Sequence, residues 1–160
     1  MLVVNVRALF WTITSFTLAH SLTLAAATLG WVHVPQAPVE AVIALSILFV
    51  ATEIVHWRQG RAGITRRWPW LVAFTFGLLH GFGFAGALSE IGLPGHAIPL
   101  ALLFFNLGVE VGQLLFIAAV FATSMVLRRI SFPFWAWRVP VYAIGSLAAF
   151  WTIQRIAGFG

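Results

Sequence analysis

The sequence predicts an all-α protein, a polytopic transmembrane helix bundle of about five spans, and three observations carry that prediction. Of its 160 residues 61% are hydrophobic and 8% charged, and the mean hydropathy is +0.99, well outside the range of soluble globular domains. The apolar residues gather into runs of about 20, the length that crosses a hydrocarbon core of about 30 Å. The nine basic residues are all arginine and sit at the ends of those runs, where they anchor a chain at a membrane surface.

The runs lie near 9–29, 39–57, 70–88, 98–127 and 137–157. Arg7 precedes the first span, Arg58, Arg61, Arg66 and Arg67 separate the second from the third, and Arg128, Arg129 and Arg138 flank the gap before the fifth. The other two loops lack arginine, and only Arg155 falls on the opposite side. Arginine accumulates in cytoplasmic loops, so the N-terminus is expected in the cytoplasm. The net charge of +5 and pI near 11.7 are therefore a membrane signature. No aromatic-basic interleaving suited to nucleic acid appears. With no repeat, linker or low-complexity stretch, residues 1–160 read as one domain.

In the first span, Thr14, Thr17, Ser21 and Thr28 fall on one helical face suited to an interhelical contact. Those polar positions make residues 1–27 a poor signal-peptide core despite Arg7 and Ala25-Ala26-Ala27, so the span belongs to the mature protein. Between spans one and two, Gly30, Pro35 and Pro38 punctuate the loop. Glu40 is expected in the first turn of span two, complementing the helix dipole without a functional role. Span two adds Ser46 and Glu53 on one stripe, then His56 one turn on. Glu-x-x-His is a metal-site spacing, but His56 neighbours Trp57 and Arg58 at the interface, where pairing with Glu53 is the simpler reading. His33, beside Trp31, reads as an interfacial anchor.

Span three contains Gly77, Gly81 and Ala85 at intervals of one turn, a small-xxx-small face that admits a second helix backbone in lipid. His80 sits beside Gly81, where a close neighbour shields it from lipid. Glu90 through His96 is a turn, with Glu90 and His96 solvated. Span four is long enough to require tilt or projection. It carries Asn106, Glu110 and Gln113 on one face, and Gly108 and Gly112 as a second close-packing ridge. An acid at mid-bilayer costs about 2.5–3.5 kcal/mol on insertion scales, so this stripe is expected to face the interior, with His80 and Glu110 lining one cavity.

Aspartate, lysine and cysteine are absent, which removes thiolate metal sites, disulfides and Ser-His-Asp triads within the chain. What remains inside the membrane is His20, His80, Glu53 and Glu110, with the amides Asn106 and Gln113. Imidazole, carboxylate and amide oxygen suit a divalent ion of the nickel, cobalt or zinc kind, and suit proton relays equally. An intramembrane enzyme is disfavoured because Ser21 and His20, adjacent on a helix, do not face each other, and Ser89 lies in no nucleophile elbow. A bundle subunit whose buried polar groups merely satisfy one another is the other reading.

Four stretches, Phe16 to Leu24, Val39 through Ser46 to Glu53, Phe76 through Leu88 to Pro94, and Phe105 to Leu114, resemble the HupE/UreJ family of hydrogenase and urease accessory membrane proteins, regarded as nickel permeases. The resemblance implies a multi-pass protein of the bacterial inner membrane and a non-enzymatic role. It implies nickel or cobalt as transported substrate, with no permanently bound cofactor. His20, His80, Asn106, Glu110 and Gln113 would then line a midplane site, with Glu53 at the cytoplasmic exit. Family members usually carry an earlier helix of the form H-x-x-x-G-x-D-H, which these residues lack. The resemblance thus implies a shortened member, a start assigned too late, or a second membrane helix supplied by a partner or another copy.

Overall fold

The structure, a computed structural model, describes residues 6–92, 94–127 and 129–159, without the side chains of Val6, Glu90 and Ile91. The expectations for Arg128 and for the Glu90 carboxylate lie outside the described residues. Five long helices appear, α1 (Val6–Thr28), α2 (Gln36–Arg58), α4 (Pro69–Ile91), α5 (Ile98–Leu127) and α6 (Arg138–Ala157). A single turn, α3 (Ile64–Arg67), precedes α4, and a 3₁₀ turn, Gly95–Ala97, precedes α5. The first four long helices are apolar and long enough to cross a bilayer. No strand occurs among the described residues, as expected where lipid can satisfy no backbone group and each helix must bond its own.

Local chemistry accounts for the ends. Pro35 is extended ahead of α2, with φ −60° and ψ 129°, and Pro69 occupies the first turn of α4, where its missing N–H is not needed. Gly92 closes α4 in the left-handed conformation at φ 70°. Because α2 begins at Gln36, Glu40 falls beyond the first turn, and its carboxylate accepts from Arg155 Nε at 2.9 Å rather than capping the helix.

Helix backbones approach one another in the order α5, α1, α4, α2, α6, an open row rather than a closed ring. The broadest interface joins α1 to α4, and the face built from Gly77, Gly81 and Ala85 creates it. A methyl group at Gly77 would run into the Phe16 carbonyl, and one at Gly81 into Thr23 Oγ1 and the His20 carbonyl. Ala19 and Leu24, both 0% exposed, are the centre of this seam.

α5 behaves differently from the expectation. Gly108 and Gly112 have open space beyond their Cα atoms, and none of the described residues of α5 is buried. The ridge is present in the helix, but no backbone of the described residues lies against it. At 1.5 Å per residue its 30 residues extend about 45 Å, more than a perpendicular span needs.

Candidate functional site

The α1–α4 seam places the two mid-helix histidines side by side. Phe16, one turn before His20 on α1, has its ring centroid 5.9 Å from His20 and 5.5 Å from His80. His20 is 0% exposed and lies nearly parallel to Phe16 and to Phe105, at interplanar angles of 11° and 16°, with Phe84 edge-on at 5.5 Å. Among the described residues neither ring nitrogen of His20 has a hydrogen-bond partner. Leaving such a buried polar group unsatisfied costs about 1–3 kcal/mol.

His80 is held differently. Its Nδ1 lies 2.7 Å from the Phe76 carbonyl oxygen, which can only accept, so Nδ1 carries the proton and donates. The Nε2 lone pair remains available, the arrangement by which a backbone carbonyl sets the tautomer of a ligating imidazole.

Next to His20, Ser21 shares its hydroxyl proton between the Thr17 carbonyl and Asn106 Oδ1, at 2.7 and 2.8 Å. Asn106 Nδ2 donates to the Leu102 carbonyl at 2.8 Å, which fixes the amide with its oxygen toward α1. The threonine-serine face of α1 therefore does meet another helix, and that helix is α5. Further along this contact Thr17 Oγ1 and Gln113 Oε1 are buried without a partner among the described residues.

Two expected site residues stand elsewhere. Glu110 is exposed on α5, whose backbone among the described residues approaches only α1 and the turn before it, and those residues form no cavity that joins Glu110 to His80. The cause is the helix period: Asn106 turns toward Ser21, and the stripe at i, i+4 and i+7 is wider than the strip that one neighbour covers. Glu53 is not paired with His56. Its Oε2 accepts from the backbone N–H and the hydroxyl of Thr65, both at 2.9 Å, and so ties the α3 turn to the end of α2. His56, His33 and His96 are exposed.

Among the described residues no three histidine or glutamate side chains converge closely enough to hold a metal ion. What the fold assembles is the His20 imidazole inside a cage of Phe16, Phe84 and Phe105, with His80 against the same Phe16 ring and the oriented Asn106 amide bonded to the next residue, Ser21. The cage was not anticipated, although a signal existed: Phe16 is one turn before His20, Phe84 one turn after His80, and Phe105 adjoins Asn106. No curated protein and no solved structure matches the chain. A family model described as HupE / UreJ protein matches residues 1–155. Nearly the whole length is covered, including both histidine segments and the Asn106-to-Gln113 stripe, and the chain belongs to the HupE/UreJ family of membrane proteins.

Proposed function

We propose that this protein is a permease for a divalent cation of the nickel or cobalt kind, in a bacterial inner membrane, supplying metal for hydrogenase or urease maturation. The observation that carries the reading is His20. A phenylalanine would complete its aromatic cage without leaving polar atoms unpaired, yet the position holds an imidazole with two unpartnered nitrogens. An imidazole kept in that state is ready for a transient partner, and His80, whose Nδ1 is engaged with the Phe76 carbonyl, and Asn106, whose amide is oriented by Ser21, are the further donors assigned to the route. Glu110 and Gln113 would serve the next stage, along α5. Ser21 directs its proton to carbonyl oxygens rather than to an imidazole, which gives a serine-nucleophile reading no support.

A second reading is favoured by one feature, the uncovered flank of α5. A carboxylate at Glu110 and close-packing glycines at 108 and 112 suit further protein, a second copy or a partner helix, lying against it. In that reading the chain is a non-transporting subunit unless the flank is filled.

Uptake of radioactive nickel and cobalt decides between them, measured in cells expressing the chain with and without whatever reading frame precedes it. Uptake that His20→Phe abolishes supports the permease. Absence of uptake in both constructs overturns it.

A further inference from the structure

A groove of about 570 Å³ is lined by residues of α1, α2, α4 and α6 and by Thr65 of the α3 turn. It runs from Thr65, Pro69 and Pro140 at the arginine-rich end to His80. From position 69 to position 80 the helical rise of 1.5 Å per residue gives about 16 Å, close to half of a ~30 Å hydrocarbon core. The groove is thus one leaflet deep. Its lining between those ends is mostly aliphatic and aromatic, with residues such as Ile54, Val72, Ala73 and Ile144, and the hydroxyls of Thr12 and Ser46 there donate to the Ala8 and Ile43 carbonyls of their own helices.

Three cations stand close along the chain to residues that line this end. Arg66 follows Thr65, Arg138 lies two residues before Pro140, and Arg58 is one turn beyond Ile54. Two indoles join them: the Arg58 guanidinium carbon is 5.1 Å from the Trp137 ring centroid and 5.5 Å from that of Trp57. Arg66 lies 5.8 Å over Trp57 and Arg138 5.9 Å over Trp137. Among the described residues the only ion pair is Arg155 with Glu40, at the opposite end of the helices. The nearby Glu53 is spent on Thr65. Three guanidinium groups therefore gather at the end expected to meet the headgroup layer, with no acid among the described residues paired to them.

We propose that this groove binds one anionic phospholipid, its headgroup phosphate held among Arg58, Arg66 and Arg138 and one acyl chain lying along the groove toward His80. Guanidinium forks match phosphate geometry, and basic pockets between transmembrane helices are a known headgroup setting. Charge selects the lipid over a second copy of the chain. A copy in the same membrane orientation would bring its own arginines to the same depth, where like charges oppose docking.

The test uses the full chain in vesicles containing equal amounts of phosphatidylglycerol and phosphatidylcholine, extracted gently and weighed intact by native mass spectrometry. One phosphatidylglycerol per chain is expected, favoured over phosphatidylcholine by about tenfold. The triple variant R58Q/R66Q/R138Q should lose that preference. Ala73→Trp, which fills the groove and leaves the arginines in place, should lose the lipid while keeping helical circular dichroism. Equal retention of both lipids by the unmodified chain overturns the proposal. So does displacement by inorganic phosphate alone, which would leave the acyl chain no role, or a lipid-free dimer that Ala73→Trp converts to monomer.

Discussion

Ser21 Oγ on α1 donates to Asn106 Oδ1 on α5 at 2.8 Å, and among the described residues this is the hydrogen bond that ties the otherwise loosely held α5 to the other helices. Removing the hydroxyl with Ser21→Ala strands the amide oxygen in an apolar setting. Interhelical hydrogen bonds in membranes average about 0.6 kcal/mol and reach about 1.7. A double-mutant cycle of Ser21→Ala with Asn106→Leu, followed by unfolding in mixed detergent micelles, should return a coupling in that range. A coupling of zero would mean that α5 is held by apolar contact alone.

The two glycine ridges should respond in opposite ways. Gly81→Leu drives a side chain into Thr23 and the His20 carbonyl and should destabilise the α1–α4 seam by about 1–3 kcal/mol, the usual cost of overpacking. Gly112→Leu points into open space and should change the stability of the isolated chain by less than about 0.5 kcal/mol. Should Gly112→Leu instead impair growth on limiting nickel while leaving the purified chain as stable, the α5 flank is covered by other protein in the cell.

His20→Phe separates stability from function. The aromatic cage accepts a phenyl ring, and the substitution removes two unsatisfied buried nitrogens, so thermal unfolding in detergent should occur at the same or a higher temperature. Metal uptake should be lost in the same variant. A marked fall in unfolding temperature would show that the imidazole is structural.

The pair between Arg155 and Glu40 joins the end of α6 to the start of α2, with side chains 36% and 48% exposed. An exposed pair contributes at most about 1 kcal/mol and is screened by salt. Arg155→Gln should therefore lower stability slightly at low ionic strength and not at all in high salt. The exchange E40R/R155E should restore the low-salt value. A salt-independent loss would assign Arg155 to packing instead.

Helix positions, the all-α class and the close-packing face of α4 were legible because each follows from local chemistry. Apolar run length sets what crosses a bilayer, proline and glycine mark the ends, and glycines one turn apart declare a face where a backbone must come close. The observed α2, Gln36–Arg58, starts only three residues before the run read from hydropathy, and α5, Ile98–Leu127, coincides with its run. That α1 is the helix this face admits, with the His20 turn against Gly81, was shown only by the structure. Which neighbour each polar stripe meets was not legible, because periodicity gives the face of a helix and not its partner. Asn106 found Ser21 while Glu110, one turn away, stayed exposed, and Glu53 was taken by Thr65 rather than by His56. The arginine-framed groove likewise exists only because α6 packs on α2 and brings Trp137 to Arg58, positions far apart in the chain. Local sequence determined the helices and the faces on them; the order in which the helices stand beside one another, a balance of weak packing terms summed over whole interfaces, was decided by the tertiary structure.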